Sequence, residues 1–329
     1  MEEKKMKKTI RNTLFIMALC TGIAACAGDG EEIGAPIEIT PEYELPQKGA
    51  SDAANARILN YYNKYGSYVV YDFSNKDAWW LQVTGNASSG GRTYHATTGD
   101  FSNVDAMLDY IEDIWLKYFS DDFLKKGGMP YRVFLADSVY MKRDWDDGTF
   151  MITTQNYAIN GNGLIIGGMN QVSTMDATTK KARKIELFTA LWAYYRAQGL
   201  LSIPNEFYAE TDYVTKPTMT KGQWGYEYTA DDIAALRNRG FMPKYSQYGY
   251  SVYDEIYMKY SDTYDTWNGK SDNDIRILDY DYYMTQILNA TDEAVAGYLA
   301  YPAVKKKWDC LINFYKTNYS IDLRAIAKE

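Results

Sequence analysis

Glu186 is the residue whose surroundings first ask for chemistry. It is the one acid in the apolar run KIELFTALWAYY, residues 184–195. A carboxylate set among apolar side chains can act as a general base, or it can bond a polar neighbour. Few groups stand ready to assist it. His95 is the only histidine in the chain. It falls in a Gly-, Ser- and Thr-rich stretch, residues 79–99, that reads as an exposed loop or hairpin. One imidazole makes no catalytic zinc site, so His95 reads as a surface residue. Asp144 and Asp146 lie two apart in DWDDG but lack the spacing and final glutamate of a calcium loop. Asp272, Asp274, Asp279 and Asp281 in SDNDIRILDYDYY could offer oxygens to calcium, although the stretch reads more simply as a solvated loop. There is no glycine-rich phosphate loop and no Gly-x-Ser-x-Gly elbow. Two carboxylates brought together in space could hydrolyse a glycoside, but nothing singles out such a pair.

The elements that would hold these residues can be read from periodicity and punctuation. ANARILNYYNKYG predicts a helix ending at Gly66, and SYVVYDF a strand. VDAMLDYIEDIWLKYF, residues 104–119, has apolar residues at helical spacing with Asn103 as its cap. YRVFLADSVY, 131–140, reads as a strand, and DWDDG as a turn. NYAINGNGLIIGGMN reads as strand, turn and strand, with GLIIGGMN at a sheet edge. A long helix follows over 176–198. On it Ile185, Phe188, Trp192 and Tyr195 form one stripe, and Leu187, Leu191 and Tyr194 a second. Ala182, Glu186, Ala190, Ala193 and Ala197 form a third, so the helix is expected to be buried. Lys180, Lys181, Arg183 and Lys184 crowd its N-terminal end, where the macrodipole disfavours cations. Beyond it, TADDIAALRNRG and SVYDEIYMKYSDTY read as helices, and YPAVKKKWDCLINFYKTNY as another with Pro302 in its first turn. The fold class is therefore α+β. It has a small N-terminal mixed sheet with helices, a central buried helix and a mostly helical C-terminal half.

The N-terminus carries a different message. Lys4, Lys5, Lys7, Lys8 and Arg11 precede the apolar LFIMALCTGIAA, residues 14–25. That run is too short to span a bilayer and reads as a secretory signal. Small residues before Cys26 suit lipoprotein processing, better than bulky Leu19 before Cys20. The expectation is a signal peptide over 1–25, lipid on Cys26, a tether over 26–50 and a domain over 51–329. The acids Asp29, Glu31 and Glu32 resemble an export signal to the cell surface. Within the domain, an α/β subdomain runs to about 198 and a helical one from 199 to 329, meeting at the central helix. No later apolar run is long enough for a transmembrane helix. Apart from Cys26, only Cys310 remains after processing, so no disulfide framework is expected. The whole chain carries a net charge of −8 and has no nucleic-acid-binding basic cluster. Tyrosine is abundant, with 32 residues, which suits wet interfaces and sugar stacking.

The order strand, helix, strand, GLIIGGMN and glutamate-bearing helix continues into GFMPKYS at 240–246, YDEIYM at 253–258 and the closing KKKWDCLINFYKTNYSIDLRAI. Over roughly residues 55–329 this resembles the zinc-binding metallopeptidase lipoproteins encoded beside glycan-uptake systems in gut bacteria. The resemblance implies a zincin-like fold. It also implies His-Glu-x-x-His on the central helix and a further acidic ligand downstream. Laid on that pattern, Glu186 takes the place of the general base. Ile185 and Thr189 take the two histidine places, and Tyr257 or Met258 the third ligand's. Isoleucine cannot bind a metal, and a neutral threonine hydroxyl is a poor zinc ligand. The resemblance therefore implies a peptidase scaffold with no zinc and no peptidase activity. Such a protein would bind a polysaccharide or peptide, alone or with partners in an uptake complex. Two other readings stay open: a peptidase with an unconventional metal site, and a glycan-binding surface protein stacking sugars on Trp79, Trp80, Trp224 and Trp267.

Overall fold

The computed structural model describes residues 42–79, 92–145, 147–161, 163–215, 218, 229–243 and 275–328. Cys26, Trp80, Asp146, Trp224, Tyr257, Met258, Trp267, Asp272, Asp274 and the helix expected over 251–264 lie outside those residues. The chain divides into two compact units, residues 1–44 and Leu45–Glu329. Only residues 42–44 of the first are described.

The second unit is α+β, with two sheets among its described residues. Strands β1 (Tyr68–Val70), β3 (Arg132–Leu135), β7 (Gly163–Ile166) and β6 (Tyr157–Asn160) form one, in the order β1-β3-β7-β6. The first three run parallel, and β6 is antiparallel to β7. Val69, Val133, Leu135, Leu164 and Ile166 join the main core. Val70, Phe134 and Ile165 are buried as well. Burial on both faces explains the unbroken apolar runs of these strands. Strands β2 (Arg92–Ala96), β4 (Val139–Asp144) and β5 (Phe150–Gln155) make an antiparallel sheet.

Helix α1 (Asp52–Tyr65) starts on Ser51, whose side chain accepts from Ala54 N, and stops at left-handed Gly66. Helix α2 (Val104–Ile114) and the central helix α3 (Ala177–Ala197) follow in chain order. Asp176 caps α3 by accepting from Thr179 N at 2.7 Å. Then come α4 (Asn205–Ala209), α5 (Ala230–Asn238), α6 (Ile275–Asn289), α7 (Asp292–Leu299), α8 (Pro302–Tyr319) and α9 (Leu323–Lys328). Thr229 and Asp232 close a capping box at α5. Leu187, Leu191, Trp192 and Tyr195 of α3 share one core with the sheet and with Tyr280, Tyr283, Leu311 and Tyr315 of α6 and α8.

Several expectations are corrected. The stretch 131–140 is two strands in two sheets, because residues 136–138 turn between them. GLII is an inner strand, and β6 occupies the edge. The helix from 104 ends at Ile114 and tightens into a 3-10 turn, Leu116–Tyr118. Asn103 makes no capping bond; a 3-10 turn precedes α2, and Asp100 caps that turn. Residues 45–50 are not free tether. Leu45 and Ala50 pack on the core, and the Gln47 amide bonds the Tyr71 N–H and the Asp72 carbonyl. Asp279 and Asp281 are on helix α6, not in a loop. His95 is in β2, half-buried, stacked on Tyr140 at 4.8 Å and within 3.0 Å of the Thr93 hydroxyl.

Candidate functional site

Helix α3 is buried along one face only. Lys184, Leu187, Phe188, Leu191, Trp192 and Tyr195 are buried, whereas Glu186, Thr189, Ala193 and Ala197 are exposed and Ile185 is half-buried. The helix expected to be enclosed on all sides thus presents its small-residue stripe outward. Exposure of alanine is cheap, so the apolar composition of that stripe did not demand cover.

Glu186 accepts from Asn156 Nδ2 at 2.6 Å. Asn156 Oδ1 in turn accepts from Arg183 at 2.8 Å. Arg183 also donates to Tyr110 Oη at 3.0 Å, to the Asn156 carbonyl at 3.3 Å and to the Gly167 carbonyl. Close approach of the guanidinium needs a glycine at 168, which has φ +93°; a Cβ there would lie 2.9 Å from the Arg183 group. Burial, and secondarily the Glu186 charge, pushes the Tyr157 hydroxyl up to about 12. Burial also raises Tyr110, with Arg183 opposing. Glu186 is therefore the exposed end of a network that ties α3 to the sheet.

A zinc site does not fit Ile185 and Thr189, the two described ligand places that the resemblance assigns. Ile185 offers no donor atom, and the Thr189 hydroxyl is spent donating to the Ile185 carbonyl at 2.9 Å. Among the described residues, no three His, Cys, Asp or Glu side chains converge to hold a metal ion. Asp279 is fully buried and paired with Lys307, and it accepts from Tyr213 Oη at 2.6 Å. Trp79 is buried against Tyr94, ring centroids 4.9 Å apart, and forms no exposed sugar platform.

The open space lies one turn further along α3. A cavity of about 270 Å³ separates α3 from α6. Thr189, Trp192, Ala193 and Arg196 line one wall at i, i+3, i+4 and i+7. Leu278, Asp281, Tyr282 and Leu288 are among those lining the other. Its walls are mainly apolar, with one charged pair: Arg196 meets Asp281 at 3.0 Å. Arg196 also lies over the Tyr280 ring at 5.0 Å, and its Nε is buried with no hydrogen-bond partner. Desolvation raises the Asp281 carboxyl, and Arg196 partly offsets this. Thr189 belongs to this cavity, while Glu186 does not line it. Arg196 belongs to no motif in the sequence, and Asp281 stands there only as a possible calcium ligand. The available signal was Arg196 as the first charge after Glu186 on an apolar helix, and the i, i+3, i+7 spacing of Leu278, Asp281 and Thr285.

No family model matches the sequence, and no curated protein matches it. A crystal structure from Bacteroides caccae, described as a "putative zinc-binding metallo-peptidase", is similar at 14% identity. The likeness covers 84% of this chain and 91% of that one, with a TM-score of 0.43. A score that low fixes neither the fold family nor the activity of this chain.

Proposed function

We propose that this chain is a non-catalytic binding protein on a zincin-like scaffold. It is exported, held to the outer membrane by lipid on Cys26 and employed in nutrient uptake. The observation that carries this reading is the pairing of two features on α3. The exposed face at 185–189 lacks zinc-binding chemistry, and a cavity of about 270 Å³ opens beside it. The apolar walls and the Arg196–Asp281 pair suit a ligand with an apolar body and adjoining hydrogen-bonding groups, such as a peptide segment or a sugar chain. The small residues before Cys26 support attachment through lipid.

The test joins metal analysis to binding. The purified protein is expected to carry no stoichiometric zinc and to cleave no peptide. It is expected to retain a peptide or polysaccharide in affinity electrophoresis, and Ala193→Trp, which fills the cavity, should abolish retention. Stoichiometric zinc with chelator-sensitive peptide cleavage would overturn the reading. So would retention that survives Ala193→Trp.

A further inference from the structure

A second cavity lies at the other end of α3 and differs in character. It measures about 130 Å³ and is lined by Asp113, Ile114, Lys117, Tyr118, Ala177, Lys180, Lys181 and Lys184. Four lysines and a single acid thus line it, in a chain whose net charge is −8. Asp113 is already engaged, pairing with Lys117 at 2.9 Å. Lys117 and Lys184 lie over the Tyr118 ring at 5.0 and 5.4 Å, which draws both heads to one place. Lys184 is buried and donates to the Ile326 carbonyl at 2.8 Å and toward Tyr118 Oη at 3.4 Å. The other acid nearby, Asp176, spends an oxygen on Thr179 N as the cap of α3. Lysines gathered where the helix dipole is positive repel one another and the helix end alike. An anion in the cavity would reverse both terms.

We propose that this pocket binds a tetrahedral oxyanion, the chemistry shared by phosphate and sulfate groups. Its volume is about half that of the α3–α6 cavity, and it suits one compact group. Each ammonium brings three donors, so several lysines match an anion with three or four acceptor oxygens better than a carboxylate with two. The anion can arrive free or as the ester of a lipid headgroup. The site is separate from the α3–α6 cavity and does not depend on its ligand.

Calorimetric titration of the full chain with inorganic phosphate and with sulfate tests the free anion. Cosedimentation with phosphatidylcholine vesicles, with and without phosphatidylglycerol, tests the headgroup. Saturable binding in either arm is expected, weakened about tenfold or more in Lys180→Gln/Lys181→Gln and unchanged in Lys305→Gln on α8. Asp113→Asn should tighten it. Without anion, the double variant should melt no lower than the natural chain, because the lysines relieve no strain there. Where free phosphate binds, it should raise the melting temperature of the natural chain more than that of the double variant. Binding to vesicles alone, lost in the double variant, assigns the headgroup as source. Absence of saturable binding in every arm, or equal affinity in the double variant, overturns the proposal.

Discussion

Asn156 holds Glu186 with its amide nitrogen at 2.6 Å and receives Arg183 on its amide oxygen at 2.8 Å. The two bonds fix which way the amide faces, and they make Glu186 the outermost member of a chain centred on Arg183. Arg183 also satisfies the buried Gly167 carbonyl, so the network costs most when broken from within. Arg183→Ala should destabilise the fold by about 3 kcal/mol, since it strands several polar partners. Glu186→Gln should change stability by no more than about 1 kcal/mol, because its contact is exposed. Urea denaturation of the two variants checks the ranking, and equal costs would refute it.

The buried pair Asp279–Lys307 sets the opposite case. Both side chains are fully enclosed, and Lys307 also meets the Phe207 ring at 4.4 Å and the Thr211 hydroxyl at 2.9 Å. Desolvation raises the Asp279 carboxyl and lowers the Lys307 ammonium, with each partner opposing the shift of the other. Removing one member leaves an unpaired buried charge, a loss of about 3–5 kcal/mol. Lys307→Met should therefore unfold at far lower urea than the natural chain. Adding Asp279→Leu should recover most of the loss. A double variant no better than the single one would show that the pair is not coupled.

These two networks mark where sequence reading succeeds and where it stops. The strands β1, β6 and β7, the extent of α3, and the Gly66 and Thr229 helix signals are local, set by turn and cap chemistry within a few residues, whereas β5 carried no such signal. The split of 131–140 into two sheets is not local. It depends on β3 pairing with β1 and β7 while β4 pairs with β2 and β5. Helical periodicity likewise shows that α3 has an alanine stripe but not whether anything covers it. The α3–α6 cavity joins residues about ninety positions apart, and no spacing rule connects Arg196 to Asp281.

Tyrosine was expected to serve surfaces, yet much of it is internal wiring. Trp192 donates to Tyr280 Oη at 2.7 Å, Tyr280 meets Tyr315 Oη at 2.5 Å, and Tyr315 donates to the Ser202 carbonyl at 2.9 Å. Burial raises the hydroxyls of Tyr195, Tyr280 and Tyr315, and that of Tyr157 to about 12. The folded state therefore holds these protons more tightly than the unfolded chain. Their contribution is complete below the ordinary value of 10.0 and is lost as pH climbs through the raised values. In an alkaline titration, part of the tyrosinate absorbance should appear only together with loss of the circular dichroism signal. Full ionisation near the ordinary value with the fold intact would contradict the buried relay.

Arg196 and Asp281 allow a charge test of the α3–α6 cavity itself. Desolvation already raises the Asp281 carboxyl, and Arg196 supplies the opposing pull. Arg196→Met removes that pull and raises the folded value further above the unfolded one. The cost belongs to the ionised form. It is full at neutral pH and disappears as acid protonates Asp281 below its folded value. The deficit at neutral pH should be about 1 kcal/mol, since the Asp281 side chain is 46% exposed and partly screened. Adding Asp281→Asn should remove both the deficit and its pH dependence. Stability curves for the natural chain, the single variant and the double variant, taken from acid to neutral pH, decide the matter. A deficit that persists unchanged at low pH would mean that Arg196 acts through packing on Tyr280 rather than through Asp281.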